Sequence, residues 1–238
     1  MRPLSEKSSL EQIRARFDAD VERFSNLETG QSATVDAPLV LELLAQNALA
    51  LVPTPRRMLD IGCGAGNNTL KVLQGYPHIA CDLLDLSAPM LERARARVSA
   101  VATQQVQTFQ GDFRTLPLPG GYDLIVAAAV LHHLRGEADW EAGFRRIFDL
   151  LNPGGALLVS DLVTHRDPAV HALMWRRYGE YLEALGGPAY REKVFDYIDY
   201  EDSPRPLSFQ LALLARVGFS SVEVLHKNSV FAAFYAVK

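Results

Sequence analysis

Two cysteines, Cys63 and Cys81, are the only thiols in a chain of 238 residues. Two thiols build no disulfide framework, so a stapled secreted scaffold is excluded, and two reduced, partly buried thiols in a cytoplasmic protein are expected. No Cys and His fall at metal-ligand spacing, and no metal site is expected. Long apolar runs are missing as well. Nothing approaches the roughly 18 residues of a membrane helix, and residues 1–10 lack the apolar core of a signal peptide. No membrane association is expected. Charge of one sign is not in excess either. The formal net charge of -4 gives no general attraction for polyanions, so nucleic acid is not an expected partner. Arg93, Arg95 and Arg97 come closest to a basic patch, and their spacing predicts the solvated face of a helix. There is no internal repeat and no low-complexity segment.

What is present is an ordinary globular balance, 48% apolar and 22% charged, at a length that supports one large domain. Leu10, Ile13, Phe17, Val21 and Phe24 recur at helical spacing after Ser8 and Ser9, predicting a helix over 8–24. Residues 25–36 are expected to form a loop, and 38–51 a second helix with Pro38 in its first turn. Five apolar β-runs follow, over 57–61, 79–85, 106–110, 122–128 and 156–161. Helical patterns over 67–74, 89–100 and 137–151 separate most of them, and Asn152-Pro153-Gly154-Gly155 is expected to be a turn. Strands alternating with helices imply parallel βαβ units with right-handed crossovers. Residues 164–206, rich in Tyr, Arg and Trp, break the rhythm and predict an inserted helical lid. A helix over 207–217, stopped by Gly218, precedes β-runs over 222–226 and 230–237, which predict an antiparallel hairpin. The expected fold is α/β, a Rossmann-like, doubly wound, seven-stranded sheet with that hairpin at its end. One domain is expected: a helical cap over 1–53, a core over 54–163, the lid over 164–206, and the final helix and hairpin over 207–238.

The chemistry concentrates where the first β-run breaks into Asp60-Ile61-Gly62-Cys63-Gly64-Ala65-Gly66. Glycines there let a backbone approach a ligand closely. In open α/β sheets, ligands sit beyond the carboxyl ends of the strands. The spacing Gly62-x-Gly64-x-Gly66 is not the G-x-G-x-x-G that seats a pyrophosphate, and it favours a ligand without phosphates. Asp85, 19 residues beyond Gly66, ends the second β-run, where a carboxylate accepts from ribose hydroxyls. Asp82 competes for that role, but Asp85 leads directly into Leu86-Ser87 and the next helix.

With Asp85-Leu86-Ser87-Ala88-Pro89-Met90-Leu91, Gly111-Asp112-Phe113, residues 122–134 and Leu151-Asn152-Pro153-Gly154-Gly155, the chain resembles the class I S-adenosylmethionine-dependent methyltransferases over residues 55–162. The final hairpin separates it from the dehydrogenases. The resemblance implies S-adenosylmethionine as cofactor and a small-molecule methyl acceptor as partner. It places Gly62, Gly64 and Gly66 under the methionine part of the cofactor and Asp60 near its ammonium through water. It places Asp85 on the ribose, Leu86 and Met90 beside the adenine, Asp112 on the adenine amino group and Phe113 against the ring. The carbonyl of Ala127 or Ala128 would meet the ammonium. His132 and His133 would lie at the rim, with either a catalytic or a shaping role. Tyr178, Arg177 and Tyr200 of the lid are the expected substrate contacts, suited to a carboxylate-bearing or planar molecule. Phe17, Arg23 and Phe24 would close the other side. A homodimer packed through the lid is left open. The layout also resembles the carboxy-S-adenosylmethionine synthase branch, whose extra carboxylate needs an arginine; Arg205 is the nearest candidate. A non-catalytic S-adenosylmethionine-binding module is the third alternative.

Overall fold

A computed structural model describes residues 2–26 and 30–238. Part of the segment expected as a loop, residues 27–29, therefore lies outside the described residues. Seven strands form one sheet: β1 (Arg57–Ile61), β2 (Ala80–Asp85), β3 (Val106–Gln110), β4 (Tyr122–Ala128), β5 (Leu151–Leu162), β6 (Ser221–Asn228) and β7 (Phe231–Val237). Their order is β3-β2-β1-β4-β5-β7-β6. The first five are parallel, and β7 runs antiparallel to both β5 and β6. The strand order reverses between β1 and β4, which opens a crevice beyond their carboxyl ends.

Alternation along the strands divides two apolar layers. Met58, Leu124 and Leu158 face α3 (Ala37–Leu51), α4 (Asn67–Leu73) and α5 (Ala88–Ser99) on one side. Leu59, Ile125 and Leu157 face α6 (Glu137–Leu150) and α8 (Leu207–Val217) on the other, around Trp140 and Phe144. Neighbouring residues bury on opposite faces because successive side chains alternate across a strand.

Several expected elements shift. The predicted helix over 8–24 divides at Asp20 into α1 (Leu10–Ala19) and α2 (Val21–Ser25). Ser9, not Ser8, caps α1 in a reciprocal capping box with Gln12. The turn expected at 152–155 is absorbed as an irregularity within β5, which starts at Leu151. The segment expected as a lid is one long helix, α7 (Pro168–Glu201), broken where Gly187 takes φ 78 before Pro188. Among the described residues, no helix is long and apolar enough to cross a membrane.

Candidate functional site

A cleft, partly open to solvent, lies beyond the carboxyl ends of β1, β2 and β4. Small-ligand sites are concave and largely apolar with a few placed polar groups, and this cleft has that character. Its floor is the turn after β1. Gly62, Gly64 and Gly66 take φ of 66, 50 and 84, in the left-handed region that favours glycine. Asp85 is the hub of this floor. Its Oδ2 accepts from Gly64 N–H at 2.9 Å, its Oδ1 accepts from Ser87 N–H at 2.9 Å, and its carbonyl accepts from Gly111 N–H at 3.0 Å. Two segments therefore hold the carboxylate and a third holds the Asp85 backbone beside the cleft. Burial pushes its pKa up, opposed by the Ser87 and Gly64 N–H groups.

Of the expected cofactor positions, Gly62, Gly64, Asp85, Leu86, Met90, Asp112, Phe113 and Ala128 line the cleft. Gly66 and Asp60 do not. Gly66 turns back toward α5, where an added Cβ would meet Val98 and Ala94. Asp60 lies beneath the turn, accepting from Thr69 Oγ1 at 2.7 Å through Oδ2, while its buried Oδ1 has no partner. Asp82 is no rival to Asp85. It is buried within the sheet, where Arg57 and the Tyr122 hydroxyl each donate to it at 2.7 Å. Arg97 is not on a solvated face either: it donates to the Ala65 carbonyl and to Asn67 Oδ1, clamping the outside of the turn. Arg93 pairs with Glu22 of α2.

Burial raises the Asp60 pKa to about 7, since the hydroxyl and backbone N–H of Thr69 do not offset desolvation. The folded protein then binds more protons than the unfolded chain between about pH 4 and pH 7. This contribution disfavours the folded state increasingly as pH rises through that window, by as much as roughly 4 kcal/mol. Asp60→Asn is expected to flatten that part of the stability–pH curve and to gain on the parent protein toward pH 7. Urea unfolding of both proteins at pH 4, 5.5 and 7 measures it; parallel curves would show that Asp60 is ionised throughout.

The roof differs from the expected one. Leu10, Ile13, Phe17, Phe24, Thr34 and Leu41, all N-terminal to β1, line the cleft, whereas no residue of α7 does. The aromatic residues of α7 instead brace that N-terminal segment. Tyr178, 2% exposed, donates its hydroxyl to the Ala33 carbonyl, and Tyr181 donates to the Ser32 carbonyl. Arg16 makes a bidentate pair with Glu201 at 2.8 Å and donates to the Tyr197 hydroxyl. The expected substrate contacts Tyr178, Arg177 and Tyr200 are therefore not on the cleft wall. Tyr178 is a buried anchor, Arg177 is exposed, and Tyr200 lies under Arg2. Arg23, expected to help close the site, pairs with Asp20 at the surface.

The two adjacent histidines separate. His133 lines the cleft, with Phe17 edge-on to its ring at 6.2 Å. His132 lies behind it, its Nδ1 bonded to the buried carboxylate of Asp161. Burial alone would lower the His132 pKa, but Asp161 and Asp202 outweigh it and raise the pKa to about 9. Burial and the charge of His132 hold His133 well below the usual histidine range, hence neutral. Asp161, Glu201 and Asp202 escaped the sequence reading; the position of Asp161 at the end of a β-run was the only available signal.

Arg114 is the only lysine or arginine lining the cleft among the described residues. It is held by Asp112 and Asp139, and the guanidinium keeps the Asp112 carboxyl below its ordinary pKa despite partial burial. Arg205 points elsewhere, donating to the Arg135 carbonyl at 3.2 Å.

Residues 59–157 match the family model described as a methyltransferase domain. The carboxy-S-adenosyl-L-methionine synthase of Cronobacter sakazakii is 25% identical over 206 residues, 84% of this chain and 81% of that protein. The malonyl-[acyl-carrier protein] O-methyltransferase of Halalkalibacterium halodurans is 38% identical over 125 residues, 51% of this chain and 44% of that protein. Among solved structures, human N-acetylserotonin methyltransferase in complex with SAM superposes with a TM-score of 0.65 at 21% identity. That match covers 97% of this chain but 59% of the human one, so the chain spans about three fifths of that structure's length.

Proposed function

We propose that the chain, whose residues 59–157 match a methyltransferase-domain model, is an S-adenosylmethionine-dependent enzyme that methylates a small, largely apolar molecule bound beneath its N-terminal helices. The observation that carries this reading is the composition of the roof. Leu10, Ile13, Phe17 and Phe24 face the glycine turn across the cleft, so the space beside the cofactor floor is apolar.

The residues present fit the cofactor. An added Cβ at Gly64 would point into empty space over the floor, where a ligand can lie against the backbone. Asp85 offers an acceptor to vicinal hydroxyls, and Leu86, Met90 and Phe113 offer an apolar slot for a purine. The buried, unpartnered Oδ1 of Asp60 suits an ammonium reached through water. S-adenosylmethionine supplies an electrophilic methyl group on a sulfonium. Attack on such a carbon needs alignment more than proton transfer, and alignment is what a closed apolar roof provides. His133 stands on the wall nearest Phe17 and helps shape the acceptor space.

The carboxy-S-adenosylmethionine synthase reading draws on the likeness over most of the chain. It lacks an arginine for the added carboxylate, since Arg114 is held by two aspartates and Arg205 is outside the cleft. Methyl-labelled cofactor incubated with cell extract tests the proposal. Label is expected in an organic-extractable product. A protein that binds the cofactor without consuming it in any extract would instead be a binding module. Phe24→Ala is expected to raise the acceptor KM about tenfold or more and to leave cofactor affinity within about twofold, because one buried aromatic contributes on this scale to apolar binding. Equal losses in both would place Phe24 against the cofactor.

A further inference from the structure

We propose that His132, His133 and Asp202 form a binding site for one divalent transition-metal ion of the zinc class. Among the described residues, these three offer ligand atoms that all lie within 4.8 Å of one another. His132 Nε2 is 3.5 Å from Asp202 Oδ1, and His133 Nδ1 is 3.4 Å from the same oxygen. Two atoms bound to a tetrahedral zinc at about 2.0–2.1 Å stand about 3.3–3.4 Å apart. The two distances to Asp202 Oδ1 thus match ligands around an ion, and both are longer than a good hydrogen bond.

Two further observations point the same way. Asp202 Oδ1 and His133 Nδ1 are buried and have no hydrogen-bond partner. Leaving both unsatisfied side by side is costly, and a shared cation would satisfy both. Asp161 moreover holds His132 by Nδ1, which leaves Nε2 as the ligand atom once the metal displaces its proton, and a metal-binding histidine is commonly oriented by such a carboxylate. Asp161 is itself fixed, accepting from the Leu131 and His132 N–H groups through Oδ2. Ser203 N–H donates to the His132 carbonyl at 2.7 Å, which pins Asp202 beside the pair. The nearby Arg16 is paired with Glu201, and Arg135 donates to the Glu201 carbonyl and Ser203 Oγ, so both cations have partners of their own.

Three protein ligands of mixed nitrogen and oxygen are the set found where a fourth position stays open for water or a substrate atom. His133 is the ligand that also lines the cleft, so the site adjoins the proposed acceptor space. Sequence spacing hid it, because two ligands are adjacent in the chain and the third comes from the far end of α7.

Chelator-stripped protein is titrated with Zn²⁺ by calorimetry and with Co²⁺ by visible absorption. One ion per chain is expected, with a Kd of micromolar or tighter and the intense visible bands of four-coordinate cobalt. Asp202→Asn and His133→Gln, checked for an intact thermal transition, are each expected to weaken binding tenfold or more. Absence of stoichiometric binding by the parent protein overturns the site, as does binding within threefold of the parent in both variants. S-adenosylmethionine titrated into the same stripped protein reports separately on the cofactor site, so failure of either assignment is distinguishable from failure of the other.

Discussion

Gly64→Val is expected to fold and to lose S-adenosylmethionine affinity by 100-fold or more. The two halves of that result have separate physical origins. Beyond its chain neighbours, no heavy atom lies within 4 Å of a Cβ built at Gly64, so the added Cβ itself has room in the protein. The cost to folding is the φ of 50, about 1–2 kcal/mol for a residue with a Cβ. The same empty space is where a ligand must lie to reach the Gly64 floor. Valine would occupy it, and a hundredfold loss corresponds to about 2.8 kcal/mol. Gly62 makes the contrasting control. A Cβ there would lie 2.8 Å from the Val130 side chain, so Gly62→Ala is expected to damage the fold and the binding together. Calorimetry beside thermal unfolding distinguishes the two. A Gly64→Val protein that still binds would place the cofactor elsewhere.

Asp85→Ala carries the second large effect. Both carboxylate oxygens already accept a backbone N–H, from Gly64 and from Ser87, and each retains a free lone pair toward the cleft. Removing the side chain leaves two buried N–H groups without a partner, at about 1–3 kcal/mol each, and removes the acceptor for ligand hydroxyls. Affinity is expected to fall about 10- to 150-fold, the equivalent of 1.5–3 kcal/mol for hydrogen bonds to a charged group, with a clear loss of thermal stability. Asp85→Asn divides the contributions. Its amide oxygen can still accept from one N–H, so stability recovers in part, while the lost charge keeps affinity low. Full affinity in both variants would remove Asp85 from the site.

The glycine turn and the Asp85 carboxylate beside it were readable from the chain because short-range chemistry specifies them. A strand, three glycines and a carboxylate at the next strand end are local signals, and parallel pairing brings them together. The split into two apolar layers rests on strand alternation and was seen only in the structure. The roof was not readable in that way. Residues 164–206 concentrate tyrosine and arginine, yet the Tyr178 and Tyr181 hydroxyls are spent on the carbonyls of Ala33 and Ser32. Composition identifies an aromatic segment but not which surface its side chains meet. Leu10, Ile13 and Phe17 displayed their helical period openly, but an apolar stripe says only that one face is covered. The His132–His133 pair shows the limit at single-residue scale. Adjacent identical residues are separated by the short turn after β4, one toward Asp161 and one toward the cleft.

A crystal structure with S-adenosylhomocysteine bound tests the central claim most directly, that the cofactor lies on the glycine turn and the acceptor enters beneath the N-terminal helices. The ribose is expected on Asp85, the purine between Leu86 and Phe113, and the sulfur directed toward the space bounded by Phe17, Phe24 and His133. A sulfur directed instead toward α7, or a ribose away from Asp85, would contradict it.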